Sequence, residues 1–217
     1  QILQDDSKSL RVGFALPSNI RGGPQKVTAV AASDLARSGH RVEIFIPVMP
    51  YHFYLAELNG SRFRWLRSTL PYIRSWATSR KFVFQDVCDQ DNSGDNIRVR
   101  FVPVRPSRNQ LKGLDCLVLH SVAQISEYQG RFPQGKQIYL MHHPEERTYG
   151  RDEMFKAARA DFEGSVLAIS PFAASEISDH VPDAAIVADP VSAVFWAQRE
   201  IFDPKQPRRD VLFFWKD

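Results

Sequence analysis

Three histidines stand where the sequence predicts the ends of apolar strands. His120 ends the run at 115–120, His142 ends the run at 137–142, and His143 follows at once. An imidazole changes charge near neutral pH and both donates and accepts hydrogen bonds, so it suits contact with a hydroxyl group or a departing phosphate. Adjacent residues on a strand point to opposite faces, so we expect one of His142 and His143 to face a ligand. The alternative is that each histidine bonds only to loop backbone.

A glycine turn precedes the first predicted helix. Arg21, Gly22 and Gly23 come directly before Pro24, and proline is well tolerated at the first position of a helix. Glycine lets a phosphate approach the backbone closely, and the free N–H groups at a helix start favour anions. The turn is therefore a candidate phosphate site, although a plain strand-to-helix turn explains the same residues. The sequence has neither the phosphate-loop lysine pattern nor the three-glycine dinucleotide pattern.

The elements that would position these residues alternate between strands and helices. Apolar runs predict strands at 10–16, 40–48, 97–102, 115–120, 137–142, 165–169 and 185–188. Helices are predicted after Gly23 up to Gly39, before Gly164, and after Ser170 as an N-cap. This alternation predicts an α/β fold with a doubly wound, Rossmann-like, mostly parallel sheet. Ligands bind beyond the carboxyl ends of such strands, and that rim would also hold Ser170 and Glu145.

Composition and charge limit the class of protein. The chain has 217 residues, 43% hydrophobic and 24% charged, which is typical of a globular domain, and its net charge of +3 does not indicate a nucleic-acid partner. No apolar run approaches the roughly 18 residues of a membrane span. Cys88 and Cys116 form neither a disulfide framework nor a metal-ligand spacing, which favours a reducing, cytoplasmic location. We expect no metal ion and no cofactor.

A basic and aromatic segment interrupts the alternation. It lies within the long connection at 49–96 and spans 61–81, where six Arg or Lys residues and no acidic residue occur. Trp65 stands among Arg62, Arg64 and Arg67. Such mixtures suit an anionic membrane surface or a lipid-phosphate acceptor, and nucleic acids also bind them. The alternative is a pair of short elements that bury their aromatic side chains and expose their arginines.

The last residues suggest the start of another domain. Residues 10–200 would form the Rossmann-like domain, and the proline-rich, basic stretch at 204–209 is typical of an interdomain linker. The apolar run at 211–215 predicts a strand, and a single strand is not stable alone. We therefore expect residues 201–217 to be the linker and first strand of a second domain.

Several short motifs occur in an order that is characteristic of one family. They are the Gly22, Gly23 turn, LARSGHRV at 35–42, an Asp-led strand ending in His120, IYLMH at 138–142, LAISP at 167–171, and a turn at 189–195. Together they resemble the amino-terminal domains of GT-B glycosyltransferases, particularly the retaining enzymes of glycosyltransferase family four. One departure is Asp189 and Pro190, where the family usually has Asn-Gly.

The resemblance implies a function and assigns residues to it. The chain would be the acceptor-side domain of an enzyme of polysaccharide biosynthesis that transfers a sugar from a nucleotide-sugar donor to a glycan or lipid-linked acceptor. Arg21, Gly22 and Gly23 would lie near the donor diphosphate, and His142 or His143 near the transferred sugar. The acceptor would rest on the rim formed by His120, Ser170 and Glu145.

Other consequences and alternatives follow from the same resemblance. Most of the donor site would lie on a second domain, so this chain alone would be inactive, and the enzyme would be cytoplasmic or peripheral at the membrane. A non-catalytic α/β binding domain and a sugar-nucleotide epimerase of the same architecture are the alternatives.

Overall fold

The computed structural model describes residues 9–18, 23–48, 70, 74, 77, 96–142, 161–175, 178 and 184–186. Within them lie seven strands: β1 (Arg11–Ala15), β2 (Arg41–Pro47), β3 (Ile97–Val102), β4 (Cys116–Leu119), β5 (Gln137–Met141), β6 (Ser165–Ala168) and β7 (Ala185–Ile186). They form one sheet in the order β3-β2-β1-β4-β5-β6-β7. Every pairing between neighbours is parallel. The seven predicted strands are confirmed, each shorter than or equal in length to its apolar run.

Besides the isolated helical positions 70, 74 and 77, the described residues form four α-helices: α1 (Gly23–Arg37), α2 (Arg108–Leu111), α3 (Val122–Tyr128) and α4 (Pro171–Ser175). A 3-10 turn at Gln134–Lys136 leads into β5. Helix α1 ends at Arg37, and the predicted terminating glycine, Gly39, follows with a φ of 85°, in the left-handed region that glycine adopts without strain. The His40 N–H donates to the Leu35 carbonyl and the Gly39 N–H to that of Ala36, which closes the helix end.

Helices pack against both faces of the sheet. Alternate residues of each strand point to opposite faces and divide between two apolar clusters. Phe14 and Ile44 belong to one cluster together with residues of α1, whereas Ala15 and Phe45 belong to the other together with residues of α2 and α3. Cover on both faces is the reason that the central strands β1, β2, β4 and β5 carry nearly continuous apolar runs, whereas the edge strand β3 alternates with arginines and is mostly exposed. The prediction of a Rossmann-like α/β sheet is confirmed.

Helix α1 buries several small and polar residues more deeply than its apolar residues Val27, Val30, Ala31 and Leu35. Val27 is buried and the other three are half-exposed, although Ala31 and Leu35 pack against the cluster that contains Phe14. Thr28 and Ala32 are completely buried and Ala36 is nearly so. The deeply buried residues of α1 therefore include a hydroxyl group, that of Thr28.

The strand order reverses between β1 and β4. Chain order runs outward from β1 through β2 to β3 on one side, and from β4 to β7 on the other. At such a reversal the loops that follow the two central strands leave in opposite directions and open a crevice, where ligands of these folds bind. Ser18 follows β1 on this edge, and His120 follows β4.

Several predicted features lie outside the described residues. They are most of the connection at 49–96, the linker at 204–209, the strand at 211–215, and residues 152–160 of the helix predicted at 152–163. The described residues 161–163 of that helix are not helical, so its predicted carboxyl end is wrong.

Candidate functional site

The structure brings two of the predicted histidines into contact. His120 follows β4 and His142 follows β5, which are neighbours in the sheet, so both residues lie at the same carboxyl edge. The His120 Nδ1 and His142 Nε2 atoms are 2.9 Å apart, a hydrogen-bonding distance. The two rings lie edge to edge and nearly coplanar, with centroids 5.2 Å apart and planes 22° from parallel. His143, the second residue of the predicted pair, lies outside the described part of the chain.

A threonine on α1 completes the arrangement. The Thr28 Oγ1 atom lies 2.9 Å from His120 Nε2, so both ring nitrogens of His120 take part in hydrogen bonds. Phe14 of β1 stacks on the other side of the His120 ring, with centroids 6.2 Å apart. We call Thr28, His120 and His142 the histidine cluster. It joins α1, β4 and β5 at the edge where the strand order reverses.

The buried position of His120 determines its charge. The residue is 3% exposed, and removal from water disfavours the charged imidazolium. Burial, and secondarily the neighbouring His142, lowers the pKa of His120 well below its ordinary value of 6.5. At neutral pH the His120 ring is therefore neutral and carries a single N–H hydrogen.

A buried glutamine closes the crevice from the other face of the sheet. The Gln124 side chain of α3 accepts hydrogen bonds from the backbone N–H of His120 at 2.7 Å and of Ser121 at 3.0 Å. Its Nε2 atom donates to the carbonyl of Ala15 at 2.7 Å. Gln124 is completely buried and links the end of β1 to the end of β4. It therefore fixes the backbone that carries His120.

The turn after β1 is held by a second buried amide. Gln25, which is 2% exposed, donates from Nε2 to the Ser18 carbonyl at 3.0 Å. This bond ties the first turn of α1 to the end of β1 and directs the start of the helix towards the crevice. Gly23 is the first residue of α1. Arg21 and Gly22, the other two predicted phosphate-site residues, lie outside the described residues.

The remaining predicted residues are distributed as follows. Ser170 precedes α4, and its hydroxyl accepts a hydrogen bond from the Ala173 N–H at 3.1 Å, so it caps the helix as the sequence suggested. Glu145 lies outside the described residues. So do the basic residues Arg62, Arg64 and Arg67 and their neighbour Trp65. Of the segment at 61–81, the structure describes the exposed helical residues Leu70, Arg74 and Ala77.

Sequence analysis missed Thr28 and Gln124. Thr28 was missed because it lies within the helix that begins after the glycine turn, where the apolar residues around it dominate the sequence pattern. Gln124 had a readable signal, because Ser121 and Gln124 form a capping box, a serine followed three residues later by a glutamine. The same motif, Ser107 with Gln110, marks α2.

A second buried polar group lies towards the amino ends of the strands. Glu43 of β2 is 6% exposed and accepts hydrogen bonds from Arg11 Nη2 at 2.6 Å and Arg100 Nε at 2.7 Å. Burial alone would raise the pKa of Glu43, but the hydrogen bonds and charges of Arg11 and Arg100 outweigh it and lower the pKa below 4.5. We call these three residues the glutamate cluster. It is ionised at neutral pH.

Two further observations concern metals and membranes. The described residues contain no group of three or more His, Cys, Asp or Glu side chains placed to hold a metal ion. No helix in the described part of the chain is long and apolar enough to cross a membrane.

The seven-stranded parallel sheet, with helices against both faces, defines a Rossmann-like α/β domain. A comparison with protein-family models finds no match to this chain, and a comparison with curated proteins finds no significant relative.

Proposed function

We propose that the chain is the acceptor-side domain of a GT-B glycosyltransferase that uses a nucleotide-sugar donor and retains the configuration of the sugar. The observation that carries this proposal is the contact between His120 and His142 at the carboxyl edge of the sheet. It places hydrogen-bonding side chains beside the crevice at which nucleotides bind in folds of this kind. The family motifs at the ends of β4 and β5 contain these same two histidines.

In the proposed reaction each described element has a task. The donor diphosphate would approach the start of α1 near Gly23, and the transferred sugar would lie beside His142. The bond from the anomeric carbon to the diphosphate oxygen breaks, a bond to the acceptor hydroxyl oxygen forms, and the hydroxyl proton passes to the diphosphate. Positioning of the two substrates and stabilisation of the departing diphosphate would supply much of the rate enhancement.

The test is an assay of the full-length protein with a panel of nucleotide sugars and glycan acceptors. A transferase releases the nucleoside diphosphate in step with glycosylated acceptor. An epimerase instead converts one nucleotide sugar into another without an acceptor, and a non-catalytic domain leaves the nucleotide sugar unchanged. Either of the last two results would overturn the proposal.

The role of His142 has its own expected outcome. We predict that His142→Ala lowers kcat ten-fold or more, which is about 1.4 kcal/mol at the transition state. The matched control is His40→Ala, because His40 lies beyond the end of α1, where its Nδ1 accepts a long bond of 3.4 Å from Leu10. Wild-type kcat in both variants would show that His142 has no part in the reaction.

A further inference from the structure

The direction of the hydrogen bonds in the histidine cluster follows from burial. Thr28 is completely buried, and among the described residues the partner of its hydroxyl is His120 Nε2. A buried hydroxyl hydrogen that is not donated costs about 1–3 kcal/mol. The Thr28 hydroxyl therefore donates, and the Nε2 atom of His120 accepts.

The same reasoning extends to the second bond. A neutral imidazole has one N–H donor and one acceptor nitrogen, and burial keeps His120 neutral. With Nε2 accepting from Thr28, the His120 hydrogen lies on Nδ1 and is donated to His142 Nε2 at 2.9 Å. His142 Nε2 is thus an acceptor, and the hydrogen of a neutral His142 lies on Nδ1.

We propose that Thr28 and His120 are positioning residues that hold His142 in one orientation and in the tautomer with its hydrogen on Nδ1. The consequence for catalysis rests on the function proposed above. With its Nε2 accepting from His120, His142 would not act through that nitrogen as a general base towards the donor sugar or its diphosphate. The two imidazole rings are nearly coplanar, so the bond between them lies close to both ring planes, along the lone pair of the accepting nitrogen.

The arrangement also opposes a proton on His142 Nε2. Such a proton would face the Nδ1–H of His120 across 2.9 Å. To relieve that contact, His120 would move its hydrogen to Nε2 and Thr28 would become the acceptor, which leaves the threonine hydrogen buried without its partner. The three residues therefore favour one direction of donation, from α1 towards the crevice.

The experiment is NMR spectroscopy of the imidazole nitrogens of this chain labelled with nitrogen-15, above neutral pH and without any ligand. The nitrogen shifts and their couplings to ring hydrogens distinguish protonated from unprotonated nitrogens in each ring. We expect protonated Nδ1 and unprotonated Nε2 in both His120 and His142. Signals are assigned from His120→Asn and His142→Ala proteins. A protonated Nε2 in His120 of the wild type would overturn the proposal, whatever the variants do.

Two substitutions at Thr28 test its part. In Thr28→Val the donor is lost, so either tautomer of His120 leaves one ring nitrogen unpaired, and we expect both rings to show averaged signals from two tautomers. Thr28→Ser keeps the hydroxyl and should restore the single tautomer. Wild-type spectra from Thr28→Val would show that threonine fixes nothing.

The result is independent of the proposed function, because no substrate is present. In the full-length protein, Thr28→Val should lower kcat several-fold with KM unchanged, and Thr28→Ser should recover it. If no nucleotide sugar is turned over but the spectra show the expected tautomers, the transferase proposal fails and the positioning role stands.

Discussion

The histidine cluster and the glutamate cluster occupy opposite ends of the same parallel sheet. Burial leaves the titratable group neutral in the first cluster, whereas the titratable group of the second remains ionised. His120 has no opposite charge beside it among the described residues, so burial keeps it neutral. Glu43 has two arginines on it, so it remains ionised although it is almost as inaccessible to water. A buried group thus keeps its charge only where partners of opposite charge accompany it.

This difference determines which cluster is better suited to a site where ligands bind and dissociate. An ionised cluster that loses one partner leaves a charge uncompensated in the interior, which is strongly destabilising. A neutral cluster exchanges hydrogen-bond partners with a smaller penalty. The neutral cluster lies at the crevice, where we propose that substrates come and go, and the ionised cluster lies at the other end, where it ties β1, β2 and β3 together.

The largest loss of stability is expected at Gln124, whose side-chain amide links the carboxyl ends of β1 and β4. Gln124→Met removes the hydrogen bonds that Gln124 makes with the Ala15 carbonyl and with the His120 and Ser121 N–H groups, all in the interior. The free energy of unfolding should fall by about 3 kcal/mol, since each buried group that loses its partner costs about 1–3 kcal/mol. Urea denaturation followed by circular dichroism measures this loss.

The control uses the other capping box. Gln110 occupies the same motif position beside Ser107, but its bonds are at the surface. Gln110→Met should therefore cost about 1 kcal/mol or less. Equal losses in the two variants would show that capping alone, and not the burial of the crevice, accounts for the effect of Gln124.

A smaller effect is expected at the glutamate cluster. Glu43→Gln removes the charge between Arg11 and Arg100, whose side chains are 39% and 30% exposed and so remain partly hydrated. We expect a loss of about 2 kcal/mol at neutral pH. The matched control is Asp34→Asn, because the Asp34–Arg37 pair is exposed on both sides and should contribute less than about 0.5 kcal/mol. Equal losses of stability in Glu43→Gln and Asp34→Asn would mean that burial does not strengthen the ion pairs of the glutamate cluster.

The smallest effect separates the two clusters by pH. The pKa of His120 is lower in the folded protein than in the unfolded chain, so the unfolded state binds more protons once the pH falls below about 6.5, and stability is lost below that point. The pKa of Glu43 is also lowered, so its stabilisation is complete above pH 4.5 and is lost as the pH falls below that value.

The measurement is the free energy of unfolding at a series of pH values. His120→Asn should flatten the profile from about pH 6.5 downwards, where the wild type begins to lose stability. Glu43→Gln should leave the profile near pH 6.5 unchanged and flatten it below about pH 4.5. If His120→Asn changes only the acid limb, His120 is not held neutral in the folded protein.

The sequence predicted the sheet well because burial on both faces gives the central strands, β1, β2, β4 and β5, nearly continuous apolar runs. It placed the seven strands in order, the end of α1 at Gly39 and the cap at Ser170. The order in space was not readable, because it depends on which strands pair across long stretches of chain. The short helices α2 and α3 were missed, although each begins with a capping box, because their apolar periodicity extends over so few residues.

The candidate site was predicted in part. Strand ends pointed to His120 and His142 separately, but nothing in the sequence indicated that they touch, since this requires β4 and β5 to be neighbours in register. Thr28 and Gln124 could not be assigned from residue type alone. A threonine in a helix and a glutamine in a cap are common, and only the tertiary structure shows that both reach His120.

The seam between β1 and β4 has a consequence for synthesis of the chain. Arg11 and Asp115, which bond across it, are 104 residues apart in sequence, and Thr28 and His120 are 92 apart. At about 5–20 residues per second, a ribosome needs roughly 5–20 s to add the residues between them. Throughout that interval β1 can pair with β2 but has no β4 beside it, so one edge of the central strand stays open to chaperones or to other nascent chains. The histidine cluster can therefore form only after β4 has been synthesised and has paired with β1, although Thr28 is made early.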